Sequence, residues 1–184
     1  MLGPRAIAYS TLLLLSVSAP SQSTRGISRD LAKSRRETIE EVHYDLTFEL
    51  DPARPDQVLG RAEIRFQLRA EIENPLVLDF DGNLTGPFTV NGKTDARIGS
   101  DANHLLIPAA NLGPVGDANV LATRFLSRVA KTGTPLTRYR DAADDQDYFY
   151  TLVVPADAHR LFPCFDQPDL KAKFRLQVLS LIHI

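Results

Sequence analysis

The chain has 184 residues, of which 43% are hydrophobic and 24% charged, as is ordinary for a globular domain. Its net charge of −2 gives no electrostatic reason to expect nucleic acid or an anionic membrane as a partner. Cys164 is the single cysteine, so an intrachain disulfide is excluded. A domain of about this length buries roughly two-thirds of its unfolded surface, which is enough for a core without metal or disulfides.

The N-terminus has the pattern of an export signal. Arg5 precedes the apolar run Ala6–Ala19, which is shorter than the roughly 20 residues that span a bilayer. Small residues then offer two cleavage sites, after Val17-Ser18-Ala19 and after Ser21-Gln22-Ser23. We interpret residues 1–23 as a signal peptide and expect an exported, periplasmic or extracellular protein without a transmembrane helix. A membrane anchor or a disordered start are the alternatives.

The first elements show a change of period from helix to strand. Ser28–Thr38 is polar and rich in helix formers, with Ser28 as a possible N-cap, and predicts a short helix. Polar and apolar residues then alternate over His43–Leu50 and again over Val58–Leu68. The two prolines of Asp51–Asp56 predict a turn between these segments. An antiparallel pair of strands with one solvated face follows from this pattern.

Shorter strands are predicted along the rest of the chain, at Leu76–Phe80, Phe88–Val90, His104–Ile107, Asn119–Leu126 and Lys173–Val178. Asn91-Gly92 favours a type I′ hairpin turn, with Ala96–Ile98 as the partner of the strand before it. Tyr148–Val154 is rich in aromatic and β-branched residues and is predicted as a central strand. Many short strands with frequent turns indicate an all-β fold, an antiparallel sandwich or saddle with one N-terminal helix.

The segment Pro155–Phe174 is unusually constrained. Asp157 can cap one helical turn, and Pro163 and Pro168 then prevent a helix from continuing. The apolar residues between the prolines predict a loop that packs against the core, with Asp166 and Asp169 bonded to nearby backbone amides. Such a loop is either a structural corner or a docking surface, and composition does not choose between them.

The same segment resembles a known family. Seven consecutive residues carry the resemblance: Phe162, Pro163, Cys164, Phe165, Asp166, Gln167 and Pro168. Together with Leu170-Lys171-Ala172 and Phe174, which follow, they are similar to a signature of the N-terminal domain of the aminopeptidase N family. The flanking segments Val42–Leu46, Leu76–Phe80 and Asp147–Thr151 are similar to strands of that domain. The resemblance extends from about Gly26 to Val178.

This resemblance implies a zinc metalloaminopeptidase that hydrolyses peptides. Such enzymes continue from this β-domain into a thermolysin-like domain with a Gly-x-Met-x-Asn motif and an H-E-x-x-H helix that binds zinc. Neither motif occurs here, and no two of His43, His104, His159 and His183 are four residues apart. We therefore expect no zinc ligands in this chain, a missing downstream catalytic domain as its partner, and no activity of the fragment alone.

One departure from the family concerns the strand before the signature. In many relatives this strand carries Gln or Glu residues that reach the free amine of the substrate. The matching positions here are Leu152 and Val154, which cannot bind an ammonium group. They are substrate-pocket candidates that shape the pocket wall, or they are core residues.

The end of the chain breaks the preceding alternation. Residues 179–184 are uniformly apolar apart from Ser180 and His183, and the string resembles the translation of a DNA-library adaptor. We interpret residues 24–178 as the β-domain and residues 179–184 as a non-native tail, a genuine final strand being the alternative. A free-standing β-sandwich module that binds peptide or carbohydrate, and a catalytically dead scaffold of the same fold, remain rival functions.

The signal-peptide interpretation predicts the N-terminus of the mature protein. Cleavage after either small-residue site leaves a chain that begins between Pro20 and Thr24. N-terminal sequencing of the exported protein measures this directly. An exported chain that still begins at Met1 would contradict the interpretation.

Overall fold

A computed structural model describes residues 26–94 and 98–180, so the interpreted signal peptide lies outside the described residues. These ranges contain the helix α1 (Arg29–Thr38), and none of their helices is long and apolar enough to cross a membrane. The strands are β1 (Ile39–Leu50), β2 (Gln57–Leu68), β3 (Leu76–Asp79), β4 (Asn83–Leu84), β5 (Thr89–Val90), β6 (Lys93–Thr94), β7 (Gly99–Asp101), β8 (His104–Ile107), β9 (Ala118–Arg128), β10 (Leu136–Arg140), β11 (Asp147–Thr151) and β12 (Ala172–Ser180).

Helix α1 forms where the sequence predicts it. The Ser28 hydroxyl accepts a hydrogen bond from the Leu31 amide at 3.1 Å, which satisfies one of the amides that a helix start leaves unpaired. Asp30 in the first turn and Arg35 and Arg36 in the last turn complement the helix dipole. Arg35 is also the one buried residue of this helix, so the side of α1 that carries it faces the core.

The strands form three open sheets and confirm the all-β prediction. The large sheet has seven strands in the order β12-β1-β2-β9-β5-β6, with β4 paired to β9 outside this path. A three-stranded sheet has the order β3-β8-β7, and β10 and β11 form a two-stranded ribbon. Pairing is antiparallel in every named ladder except one, since β12 runs parallel to β1 at the edge of the large sheet.

The predicted alternation is confirmed along β2 and, on β1, from Tyr44 to Phe48, whereas Leu50 is only partly buried. On β2, Val58, Gly60, Ala62, Ile64, Phe66 and Leu68 all face the core and are buried, while Arg61 and Arg65 face outward. Strand β9 buries Leu121 and Phe125 on the same face. Leu78 and Ile107 of the small sheet belong to the same apolar cluster, so the core lies between the large and the small sheet. Burial of each Val, Leu, Ile or Phe side chain in this cluster contributes about 1.5–3 kcal/mol.

The hairpin at Asn91-Gly92 is confirmed, but its predicted partner strand is wrong. Both turn residues have positive φ, 51° and 76°, as a type I′ turn requires. The partner of β5 is Lys93–Thr94 rather than Ala96–Ile98. A two-residue turn leads straight into its partner, whereas the prediction followed the more apolar residues further on; residues 95–97 lie outside the described residues, and Ile98 is not in a strand.

The predicted central position of Tyr148–Val154 is also wrong. Strand β11 covers Asp147–Thr151 and pairs only with β10 in the ribbon, where Tyr148 and Tyr150 are exposed. Aromatic and β-branched residues favour a pleated, half-buried surface, and this preference does not specify a central place in a sheet. Strand β10 carries arginines at Arg138 and Arg140, so its composition did not suggest a strand.

The last strand is longer than the sequence predicted. Strand β12 includes Leu179 and Ser180, which pair with Glu49 and Leu50 of β1. These two residues belong to the segment that we interpreted as a non-native tail, and residues 181–184 lie outside the described residues. The pairing does not test the origin of the segment, which stays a prediction.

Gly60 provides a test of the packing between β2 and β9. Gly60 lies directly opposite Phe125, and a Cβ at this glycine would stand 2.2 Å from Cζ of that ring. The ring cannot retreat, because it is fully buried and makes edge contacts with Phe48 and Phe80 at 5.9 and 5.5 Å. We expect Gly60→Ala to lower the free energy of unfolding by about 1–3 kcal/mol in a denaturant titration, as overpacking does.

Gly99→Ala is the matched control for this substitution. Gly99 also lies in a strand, but a Cβ there would meet its nearest atom, Cβ of Leu106, at an ordinary 3.5 Å. We expect this variant to stay within about 0.5 kcal/mol of the wild type, as surface substitutions usually do. Equal losses in both variants would show that the Phe125 ring does not limit the space at Gly60.

Candidate functional site

The signature segment, residues 162–168, joins the two sheets. The Asp79 amide donates to the Cys164 carbonyl at 2.8 Å, and the Cys164 amide donates to the Asp79 carbonyl at 3.0 Å. The Phe165 amide donates to the Tyr44 hydroxyl at 2.9 Å. Phe162, Cys164 and Phe165 are buried, as predicted for a loop packed against the core. The segment is therefore a structural corner that ties β3 to β1.

A buried ion pair lies beneath this corner. Arg35 donates from Nη1 to Oδ2 of Asp79 at 2.7 Å and from Nη2 to Oδ1 at 2.6 Å, and both side chains are 2% exposed. The same carboxylate accepts from the Asp166 amide at 3.0 Å and contacts Nδ1 of His104 at 2.8 Å. A charge removed from water needs partners on every side, and Asp79 finds them on α1, β8 and the signature segment.

Helix α1 is attached to the signature segment at two further points. The Gln167 side chain donates to the Ala32 carbonyl and to Oδ1 of Asp169, both at 3.0 Å. The Arg35 guanidinium lies 5.6 Å from the centre of the Phe165 ring, within cation–π range. Asp169 thus bonds a side chain instead of the nearby backbone amide that we predicted.

The turn before the signature differs in its cap from the prediction. A 3₁₀ helix covers Ala158–Arg160, but the Asp157 side chain caps no amide and instead accepts from Nη1 of Arg160 at 3.1 Å. Asp166 caps in its place, since Oδ2 accepts from the His159 amide at 3.1 Å. The same oxygen contacts Nδ1 of His159 at 2.8 Å. This hydrogen bond to Asp166 raises the pKa of His159 above its usual value, against the opposing effect of burial.

Cys164 carries no nucleophilic chemistry in this setting. Burial raises the pKa of its thiol well above the ordinary value, and the negative charges of Asp166 and Asp79 act in the same direction. Thiol nucleophiles react as thiolates. The cysteine therefore acts as a small apolar side chain in the core.

The fold brings together two histidines that are 55 positions apart in the sequence (104 and 159). His104 and His159 line one cavity of about 370 Å³ together with Asp79 and Asp166. Each ring is held by a carboxylate. Over residues 26–94 and 98–180, no group of three or more His, Cys, Asp or Glu is arranged to hold a metal ion. The residues of this cavity do not fit a zinc site, and no pattern of spacing in the sequence pointed to their proximity.

Strand β12 presents an uncovered apolar surface, here called the β12 face and formed by Phe174, Leu176 and Val178. These residues pair with Tyr44, Leu46 and Phe48, so they lie on the core side of the sheet. They are nevertheless 60%, 62% and 52% exposed, because β12 is the edge strand. The Phe174 ring stacks on the Tyr44 ring with centres 4.9 Å apart, which extends the core into this exposed strip.

A second uncovered surface lies on the ribbon and is called the ribbon face. It consists of Tyr139, Tyr148 and Tyr150 and continues in alternation through Leu152 and Val154. Leu152 and Val154 are 61% and 66% exposed, so in this chain they are not core residues. Whether these positions form a substrate-pocket wall or enter the core of the intact protein stays a prediction.

Comparisons with known proteins agree with the signature. Residues 40–181 match the Peptidase M1 N-terminal domain family. The chain is 28% identical over 155 residues to aminopeptidase N of Streptomyces lividans, covering 83% of this chain and 17% of that protein. It is 26% identical over 148 residues to the alanine/arginine aminopeptidase of Saccharomyces cerevisiae, covering 76% and 17%.

Native yeast LTA4 hydrolase has a similar fold, with a TM-score of 0.62 at 20% identity over 79% of this chain and 23% of that one. The chain thus spans only 17% of the length of the two aminopeptidases.

The His159–Asp166 pair predicts a pH dependence of stability. Because the pKa of His159 is raised in the folded chain, protonation of its ring stabilises the folded state relative to the unfolded state. This contribution to the free energy of unfolding is complete below the unfolded pKa of about 6.5, and it is lost as pH rises through the raised folded-state pKa. We expect the difference in unfolding free energy between wild type and His159→Gln to be larger at about pH 5.5 than at about pH 8.5. His43→Gln, at a partly buried position on the outward side of β1, is the control. A difference that does not change with pH would contradict the pairing.

Proposed function

Because the chain belongs to the peptidase M1 family, through its N-terminal domain, we propose that it is the non-catalytic first part of an exported zinc aminopeptidase. The intact enzyme removes N-terminal residues from peptides. The resemblance of residues 162–168 to the aminopeptidase N signature is confirmed at the level of the family. Export rests on the apolar run at the N-terminus, and the peptide substrate rests on the aminopeptidases that this chain resembles.

The observation that supports a following catalytic domain most directly is the β12 face. Phe174, Leu176 and Val178 lie on the core side of the sheet without a cover among the described residues. Contiguous apolar surface of this kind usually marks an interaction site. The aminopeptidase relatives are several times longer than this chain, and that additional length is enough for a domain that covers this face. We propose that the catalytic domain packs on the β12 face.

The ribbon face suggests how this domain contributes to the substrate pocket. Leu152 and Val154 are exposed at its end, next to the turn that leads into the signature segment. They offer neither a carboxylate nor an amide to a substrate amine. We propose that they form an apolar pocket wall, so that this domain selects the side chain of the substrate by shape while other parts of the enzyme hold its amine.

The zinc ion belongs to the proposed catalytic domain. The described residues hold no cluster that fits a metal, and His104 and His159 are each engaged by a carboxylate. When bound in the catalytic domain, zinc would activate a water molecule for peptide hydrolysis. We propose a structural role for His104, His159 and their carboxylate partners, which hold the ribbon and the β12 face in their relative positions.

The test compares this chain with a longer product. The 184-residue chain, and a product extended through the downstream reading frame, are assayed with aminoacyl-nitroanilides and by metal analysis. We expect about one zinc per chain and hydrolysis for the extended product only, since zinc enzymes supply three protein ligands and the described residues of this chain form no such group. Stoichiometric zinc in the short chain would contradict the proposal. An extended product that binds peptide without hydrolysing it would favour the rival function, a catalytically dead scaffold of the same fold.

Variants of the extended product then test the pocket wall. One methylene in an apolar pocket is worth about 1–3 kcal/mol, so Leu152→Ala and Val154→Ala should lower kcat/KM at least about tenfold for substrates with large apolar N-terminal residues. Val115→Ala is the control, because Val115 is also apolar and exposed but lies in the loop before β9. Unchanged kcat/KM in the first two variants would remove these residues from the pocket.

A further inference from the structure

The outward side of the large sheet carries a groove that the proposed function does not use. Its volume is about 650 Å³, and it crosses β1, β2, β9 and β5 on the face opposite to the core. Its charged and hydroxyl-bearing residues on this side are Asp45, Thr47, Arg61, Glu63, Thr89 and Arg124. These side chains come from four strands, so their arrangement is set by the register of the sheet and not by a flexible loop.

Two arginines lie side by side on adjacent strands in this groove. Arg61 of β2 lies directly opposite Arg124 of β9, and Thr47 of β1 lies directly opposite Arg61 on the other side. Directly opposed side chains on adjacent antiparallel strands start from Cβ atoms about 4.5–5.5 Å apart. The two guanidinium groups and the Thr47 hydroxyl therefore form one row of hydrogen-bond donors across three strands.

The charge of this row is not neutralised within the described part of the chain. There, neither the Arg61 nor the Arg124 side chain makes a hydrogen bond or an ion pair. The two carboxylates of the groove are engaged elsewhere, Glu63 with Arg65 and Asp45 with Arg175 at 3.5 Å. Like charges directly opposite each other in a sheet are destabilising, so the ladder holds two cations together without compensation.

We infer that Arg61 and Arg124 bind the phosphate group of a small ligand, either a phosphate monoester or the free anion. Guanidinium groups donate two parallel hydrogen bonds to tetrahedral oxyanions, and two of them side by side can share one phosphate. Thr47 adds a neutral donor in the same row. The ligand's anionic charge offsets the repulsion between the two arginines, which supplies part of the binding energy.

The neighbouring row argues for a single phosphate rather than an extended polyanion. Asp45 and Glu63 face each other two residues further along their strands, on the same side of the sheet. Their carboxylates would repel a second phosphate placed beside the first. The site therefore accepts one compact anion at the arginine row, and it disfavours a nucleic acid or an anionic bilayer. This inference is independent of the proposed enzyme function, because the groove lies on the opposite face from the β12 face.

The test is thermal unfolding of the 184-residue chain in a titration with inorganic phosphate and, separately, with glycerol phosphate. Sodium chloride at matched ionic strength controls for screening. A ligand that binds only the folded state raises Tm by mass action, and above Kd the rise grows with the logarithm of the ligand concentration. We expect phosphate to raise Tm by more than the general stabilisation that an excluded salt gives, and chloride to leave Tm unchanged. A response to glycerol phosphate supports a monoester ligand, and a response to the inorganic salt alone supports the free anion.

Substitutions assign the effect to the two arginines. Arg61→Gln and Arg124→Gln are exposed changes that should leave the fold intact and raise Tm slightly without phosphate by removing the repulsion. They should lower the rise with phosphate to the general stabilisation that an excluded salt gives. Arg128→Gln is the matched control, since Arg128 is an exposed arginine on the outward side of β9 beyond the groove, and it should respond like the wild type. A rise as large in the Arg61→Gln, Arg124→Gln double variant as in the wild type, or one that chloride reproduces, would overturn the inference.

Discussion

The ion pair between Arg35 and Asp79 connects most of this structure. One buried carboxylate is bound by the guanidinium of α1, the imidazole of His104 on β8 and the amide of Asp166 in the signature segment. Removing one partner of such a pair leaves an uncompensated buried charge and typically costs about 3–5 kcal/mol. The helix, the small sheet and the corner therefore cannot change position independently of one another.

This connection determines what the domain can present to a partner. The corner at residues 162–168 lies between the ribbon and β12 in the chain, so its fixed position constrains the end of the ribbon and the start of β12. The β12 face and the ribbon face are both uncovered, and both flank the corner in sequence. A rigid corner between two exposed apolar surfaces suits a domain that holds its shape while another domain packs against it. The outward arginine row depends on the large sheet alone, since its register places Arg61 beside Arg124.

Local patterns predicted a large part of the fold, and their failures have clear physical causes. Ser28 begins α1 as a cap should, and the alternation of β2 matches its burial at every position from Val58 to Leu68. The predicted central position of the strand that contains Tyr148 and Tyr150 was wrong, because such residues favour any pleated strand, central or peripheral. The role of Asp166 as a cap was missed because the amide that it accepts from, that of His159, is made available only by the turn between them.

The family, the helix, the two long strands and the side of each long strand that enters the core were all predictable from the amino-acid order, the family through residues 162–168. These features depend on residue identity and on periods of two or 3.6 residues, which are local properties of a chain. Three features come from the packing of distant segments: Asp79 meets Arg35 across 44 positions, His104 and His159 share a cavity, and β12 lies parallel at an edge. Contacts of that kind depend on how sheets pack and in what order strands pair, and no local pattern encodes either.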